Sequence, residues 1–422
     1  MDAPDPQVSV IITTYNRGDL VRRQLHHLTR QDVAAGVFEV IVSDDGSSDD
    51  TRSIVDSFAG RLPVAYHFQE DLGFRANHAR NAGARLARGQ VLVFLDAGAL
   101  PGPGFVAAHL AAHADPAVRR AVVGYGHGFG ANLANIAGLD DAIDRLPTLA
   151  AVAERFAGHP EFRDGRYDRM AAVGFVMDRD PLPWQLFFTF NCSVRAADFW
   201  SIGAFDETFV QWGGEDLEIG YRMARAGLSF VFSQDAWVVE WPHGREMGDR
   251  MRTFYENMLI FLAKFTEPAV ELGVLAIRDT RFWEWPDWYV EVQAEADRVR
   301  TLNVCRQIEA APYGGRVAVF GCGPQVPADL AGGAILCDFD AAMVDAATRD
   351  GRHSGRHAIG LRTTLPDQSV DRVLITSRLA GLWPRWGAEI LAEARRIGRK
   401  VEVLHDVDAS VNLSTAGEAG NE

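Results

Sequence analysis

Four apolar runs, VSVIITT, FEVIVSDDG, VAYHFQE and QVLVFLD, punctuate the first hundred residues, and a segment with helical spacing lies between each consecutive pair. The first segment, DLVRRQLHHLTRQ, puts Leu20, Leu25 and Leu28 on one side. The second, SDDTRSIVDSFAG, opens with a Ser/Asp cap, and the third, RANHARNAGARLARG, closes at Gly89. Short apolar runs separated by helices read as strands buried on both faces. The βαβαβαβ order therefore predicts an α/β fold with a mostly parallel sheet and helices on both of its faces. Ligands of such sheets sit at the carboxyl ends of the strands. Asp44, Asp45 and Asp96 stand at those ends, so separate elements bring carboxylates to one rim.

The pattern loosens from about 125 to 185 and returns with PWQLFFTFNCSV, WGGEDLEIGYRMARAG and AWVVEWPHG. A helical segment, RMRTFYENMLIFLAKF, and an aromatic stretch, RFWEWPDWYVEV, precede a second α/β unit that starts at GGRVAVFGCGP. The ending, ASVNLSTAGEAGNE, is small and polar and reads as a disordered tail.

Composition narrows the classes. A chain of 422 residues with 47% hydrophobic residues has length for two domains and material for a sizeable core. Lys plus Arg is 42 and Asp plus Glu is 57, and 42 − 57 = −15 argues against a nucleic-acid-coating protein. Cys192, Cys305, Cys322 and Cys337 form no CxxC pair, so neither a zinc ribbon nor a disulfide framework is indicated, and a reducing cytoplasm fits. MDAPDPQ lacks the basic and apolar regions of a signal peptide, and stretches such as NMLIFLAKF are too short to span a bilayer. A soluble cytoplasmic protein without a transmembrane segment is expected.

Three stretches carry chemistry. In WGGEDLEIGYR, Leu217, Tyr221 and Ala224 repeat at helical spacing, so a helix begins near Glu215 behind the tight turn that Gly213 and Gly214 permit. Glu215 and Asp216 then lie in its first turn, where carboxylates serve either the helix dipole alone or a reaction that needs an anionic base. GFRANHARNAG offers Arg75 and Arg80, either as forks for a pyrophosphate or as part of a solvated helix face. In FLDAG, a strand ends on Asp96, and Ala97 and Gly98 follow where a hard-metal site usually has a second acid.

Taken in order, TTYNR, SDDGSSDDT, GFRANHARNAG, FLDAG, FNCSV, GAFDETFVQWGGEDLEIGYR and PHG resemble a family-2 glycosyltransferase with the GT-A fold, over roughly residues 7 to 265. The resemblance implies a nucleotide-sugar donor, a UDP-sugar of the Gal, GalNAc, Glc or GlcNAc type. It implies inverting transfer to a hydroxyl of a carbohydrate, natural-product or peptide acceptor. GFRANHARNAG and WGGEDLEIGYR look most like the galactosyl- and N-acetylgalactosaminyl-transferring branches, including chondroitin-polymerase-like enzymes.

Carried onto this chain, the resemblance makes Asp216 the general base and Glu215 a sugar contact. Thr13, Tyr15, Arg17 and Asp45 bind the nucleotide, with Tyr15 stacked on the base and Asp45 accepting from uracil N3–H. Arg75, Arg80 and Asp96 serve the diphosphate. Trp212, Gly213, Gly214, Trp184 and Asn191 form the acceptor side. Family members usually carry D-x-D where this chain has Asp96 and Gly98. Mn²⁺ or Mg²⁺ is then expected on Asp96 with His243 of PHG, unless Arg75, Arg80, Arg222 or Arg245 neutralises the diphosphate instead.

The expected partition is a glycosyltransferase domain over 1–300, a smaller Rossmann-like domain over 310–408 and a tail over 409–422. The first divides into a nucleotide-binding half (1–124), an acceptor-side half (125–265) and a helical, aromatic extension (266–300). The second domain resembles the core of S-adenosylmethionine-dependent methyltransferases through GGRVAVFGCGP, AILCDFDAAMVDAA and LPDQSVDRVLITSRLAGLW. In a working member Asp338 and Asp340 meet methionine and ribose. Here Gly321 and Gly323 are followed by Pro324 with no third glycine, so a degenerate unit used for packing, homodimerisation or docking is expected. Rival readings are a nucleotidyltransferase, a nucleotide- or protein-binding module, and a bifunctional glycosyl- and methyltransferase. TTYNRGDL is not the glycine- and lysine-rich triphosphate loop the first of these needs.

Overall fold

The computed structural model describes residues 5–242, 248–311 and 314–404. His243, Arg245 and the tail from 409 lie outside the described residues. The chain divides between Asn257 and Met258 into two compact units.

The first unit is built on an eight-stranded sheet in the order β3-β2-β1-β4-β7-β6-β8-β5. Its strands are β1 (Val8–Thr14), β2 (Phe38–Asp44), β3 (Val64–Phe68), β4 (Val91–Asp96), β5 (Ala99–Pro101), β6 (Arg120–His127), β7 (Asn191–Arg195) and β8 (Ser229–Glu240). From β3 to β4 the pairing is parallel; β7 runs antiparallel to both β4 and β6, and β5 antiparallel to β8. The sheet is thus less uniformly parallel than its first hundred residues imply, because the later strands close it with reversed direction. Val8, Val10 and Ile12 of β1 pack with Val21, Leu25 and Leu28 of the Gly18–Leu28 helix on one face. On the other face the Ala76–Leu86 helix approaches so closely that a Cβ on Gly83 would lie 2.7 Å from Ile11 Cγ2. Register sets Thr14 beside Asp44 and Thr13 beside Asp96, so the strand ends finish level.

The second unit carries a five-stranded sheet, β11-β10-β9-β12-β13, with all pairs parallel. These strands are β9 (Val317–Phe320), β10 (Ile335–Asp338), β11 (Ser354–His357), β12 (Val370–Ile375) and β13 (Gly398–Val403). The topology is doubly wound, but the crevice at its switch point is filled from within. Arg378, fully buried, donates to Asp338 through Nε (2.7 Å) and Nη2 (3.1 Å) and caps the carbonyls of Val299 and Leu302. Asp338 also accepts from Gly323 N–H, and Asp340 caps the helix Ala341–Ala347 through Ala342 N–H. Both acids that a methyltransferase would present to its cofactor are engaged by the protein itself, and the likeness to that class is corrected accordingly. Residues 266–300, expected as an extension of the first domain, fall within this unit. Glu271 of the Pro268–Arg278 helix accepts four backbone N–H groups, from Ile359 through Arg362.

Candidate active site

A cavity of about 430 Å³ opens at the carboxyl ends of β1, β2 and β4, with the start of the Glu215–Arg225 helix as its far wall. The chain leaves β1 through Thr13, Thr14 and Tyr15, and Asp45 is held beside them by its N–H to the Thr14 carbonyl (2.9 Å). The Asp45 carboxylate accepts from Gln69 Nε2 (2.5 Å) and from Arg75 N–H (2.8 Å). Burial pushes its pKa up while these two donors oppose the shift. Tyr15 is 47% exposed at the lip, and its hydroxyl donates to Asp71 (2.9 Å) across from Phe74. Neighbouring Asp44 plays a different part: fully buried, it accepts from Tyr66 O–H and Ser47 N–H and closes the turn.

The far wall depends on its two glycines. Gly213 and Gly214 have φ of +97° and +88°, where side chains are strained, and a Cβ on Gly213 would lie 2.8 Å from Phe254 Cγ. Asn257 Nδ2 locks this turn by donating to the carbonyls of Gln211 and Gly213. Trp212 precedes it, part-exposed on the cavity, with its ring edge-on to Phe254 and the Arg250 guanidinium 5.6 Å from its centroid.

Arg80 ties the rim to this wall. Its guanidinium, 6% exposed, lies 3.2 Å from Asp96 and 3.6 Å from Glu215, and it donates to Asn77 (3.1 Å). Burial works against its charge, but Asp96, Asp216 and Glu215 hold it ionised. One cation thus serves three acids. Burial raises the Glu215 pKa against the pull of Arg80, and Glu215 Oε2 has no hydrogen-bond partner. Burial, then the charge of Glu215, pushes Asp216 up to about 8, against Arg80 and a hydrogen bond from Thr189.

Thr13, Tyr15, Arg17, Asp45, Arg80, Asp96, Trp212, Glu215 and Asp216 all line the cavity. Other expected residues do not. Arg75 enters through its backbone N–H, while its guanidinium turns to His78 Nδ1 (3.3 Å). Trp184 is buried edge-on against Tyr221, where it braces the Glu215–Arg225 helix; a Cβ on Gly220 would lie 2.7 Å from its carbonyl oxygen. Asn191 is fully buried, donating to the Tyr125 and Ala236 carbonyls and facing His109 Nε2 through Oδ1. Both belong to the core. Arg222 is engaged by Glu218 and the Ile202 carbonyl. Thr189, Gln69 and Phe74 were missed by sequence reasoning; only Gln69, at the end of an apolar run, carried a positional signal.

Gly98 lies just past Asp96 with φ of +105°, and its carbonyl accepts from Trp241 N–H (2.9 Å). Among the described residues no group of three or more His, Cys, Asp or Glu is placed to hold a metal ion. The cavity lining nevertheless carries five acids, Asp45, Asp71, Asp96, Glu215 and Asp216, against two arginines, one already committed. Asp96, engaged by Arg80 through one oxygen, is the rim carboxylate a divalent cation would meet.

A double-glycine turn that sets two acids across a cavity from level strand ends is the arrangement of a GT-A glycosyltransferase. Residues 9–138 match the model of glycosyl transferase family 2, and residues 176–243 that described as the N-terminal domain of galactosyltransferase. The chain is 38% identical, over 94% of its length, to validoxylamine A glucosyltransferases of Streptomyces hygroscopicus subsp. limoneus and subsp. jinggangensis, covering 90% and 96% of those proteins. It is 30% identical to the hyaluronan synthase of Pasteurella multocida over 65% of this chain and 28% of that protein. The chain belongs to glycosyl transferase family 2, and it is a glycosyltransferase.

Proposed function

We propose that this enzyme transfers glucose from UDP-glucose, with inversion, to a hydroxyl of a small acceptor of the validoxylamine A kind. The observation that carries the reading is Asp216: a partly buried carboxylate in the first turn of the Glu215–Arg225 helix, across one cavity from Asp45 and Asp96. The likeness to the two Streptomyces glucosyltransferases over nearly the whole chain supports glucose as the sugar and validoxylamine A as the kind of acceptor.

In this reading the uracil rests against Tyr15, and its N3–H donates to Asp45, which lines the cavity beside its bonds from Gln69 and Arg75 N–H. Asp96 would hold a divalent cation, Mn²⁺ or Mg²⁺, which would supply positive charge to the leaving diphosphate. With Gly98 in place of a second acid, weak binding is expected. His243, which lies outside the described residues, is the remaining candidate ligand. Arg80 keeps Asp96, Glu215 and Asp216 in register rather than forking the diphosphate. The Asp216 carboxylate takes the acceptor's hydroxyl proton as that oxygen attacks the anomeric carbon, the bond to the diphosphate breaks, and UDP leaves. Trp212 offers a sugar-stacking face, and Glu215 Oε2 awaits a hydroxyl donor.

The test is UDP release from UDP-glucose, UDP-galactose, UDP-GlcNAc and UDP-GalNAc, with and without validoxylamine A, for the enzyme and Asp216→Asn. Acceptor-dependent release from UDP-glucose, lost in the variant, supports the reading. Release from another UDP-sugar alone reassigns the donor, and undiminished release by the variant removes Asp216 as base.

A further inference from the structure

Thr189 is fully buried, yet its hydroxyl reaches the cavity wall and donates to Asp216 Oδ1 at 3.0 Å. In the ionised form that a general base requires, the carboxylate only accepts, so the Thr189 hydroxyl is then the donor. The segment that carries Thr189 is itself pinned. The next residue, Phe190, accepts Asp96 N–H through its carbonyl (3.3 Å), and Asn191 pairs with Leu95 as β7 begins. The strand end bearing Asp96 and the helix start bearing Asp216 are therefore joined through residues 189 and 190. Nothing in the first turn of the Glu215–Arg225 helix fixes how the Asp216 carboxylate rotates about its terminal bond, a torsion with a broad, nearly two-fold profile. The Thr189 hydroxyl does so, by engaging one oxygen and leaving Oδ2 for a substrate.

We propose that Thr189 is a positioning residue: it holds the Asp216 carboxylate in the rotation that presents Oδ2 to the acceptor hydroxyl. The inference rests on the reading of Asp216 as general base. Thr189 touches neither substrate and acts only through that carboxylate. Its loss should slow the chemical step and leave donor binding alone.

Thr189→Val keeps the shape and removes the donor; Thr189→Ser keeps the donor and removes the methyl group. With UDP-glucose and validoxylamine A, Thr189→Val is expected to lower kcat by about tenfold to a hundredfold, the range for losing one hydrogen bond to a charged group. KM for UDP-glucose stays within about twofold, and Thr189→Ser recovers most of kcat. Calorimetric titration with UDP, run on the same variants, should give unchanged affinity. The proposal is overturned if Thr189→Val keeps wild-type kcat while Asp216→Asn is inactive, a result that leaves the base intact. Equal losses in the valine and serine variants, or a loss of UDP affinity and melting temperature together, would assign Thr189 to the fold alone. If Asp216→Asn turns over normally, the base reading fails and this inference falls with it.

Discussion

Replacing Asp216 by asparagine should abolish turnover and, above pH 8, make the protein more stable. The Asp216 carboxyl is held at about 8, raised from 3.8 first by burial and then by the charge of Glu215. Its folded pKa lies above its unfolded one, so the protonated form is favoured by folding. The resulting stability is full below the ordinary carboxylate range and is lost as pH rises through about 8. At pH 9 the folded protein holds an anion beside a second acid, with Arg80 shared among three carboxylates. Asparagine has the same shape, accepts the same bond from Thr189 and carries no charge. One pKa unit corresponds to about 1.4 kcal/mol, but Asp216 is partly solvated and coupled to Glu215, so about 1–3 kcal/mol is a realistic gain. For a unit of this size that raises the melting temperature by about 2–4 °C per kcal/mol. Thermal melts at pH 4 and pH 9, with turnover measured near neutral pH, are the assay. The variant should match the wild type near pH 4, where Asp216 is neutral in the folded chain and only partly charged in the unfolded one, exceed it by several degrees at pH 9, and lose about 10²–10⁴-fold in rate. A variant that melts at or below the wild type at pH 9 would refute the electrostatic account.

The pH profile of kcat/KM for the wild type should rise through about 8 as Asp216 deprotonates, and a flat profile between pH 6 and 9 would contradict its role. Arg80→Met removes the one buried cation among three acids and should lower unfolding free energy by about 3–5 kcal/mol in urea titrations near neutral pH. Restoring the family's second acid by Gly98→Asp should lower the melting temperature, because φ of +105° strains any side chain by about 1–3 kcal/mol and its Cβ would meet Leu20 Cδ1 at 3.2 Å. In the second unit, isothermal titration with S-adenosylmethionine should show no binding heat, since Arg378 fills the crevice beside Asp338.

The parallel half of the sheet was readable because each strand and helix announces itself over a few neighbouring residues, and the strand-end position of Asp45 and Asp96 follows from that order alone. The double glycine before Glu215 was readable for the same reason: its φ requirement is local. Partners across the fold were not. Arg80, read as a diphosphate fork, meets Asp96 and Glu215 only because a helix after β3 and a helix after β7 converge. Trp184 and Asn191 sit near motif residues in sequence, but side-chain direction turns both into the core, where Tyr221 and His109 receive them. Thr189 carried no signal, since one threonine in an aromatic run looks like any strand residue. The division at residue 257 was hidden because the Pro268–Arg278 helix joins its unit through Glu271 and a loop some ninety residues away.

The most direct test of the central claim is the anomeric configuration of the product made from UDP-α-glucose and validoxylamine A, read by NMR, with Mn²⁺ and with EDTA. The account predicts a β-linked glucoside in the presence of the cation and a sharp loss of product under chelation, because the one buried arginine of the cavity is committed to its acids and leaves the diphosphate charge to the cation. An α-linked product would contradict inversion by Asp216, and full activity in EDTA would contradict the role given to Asp96.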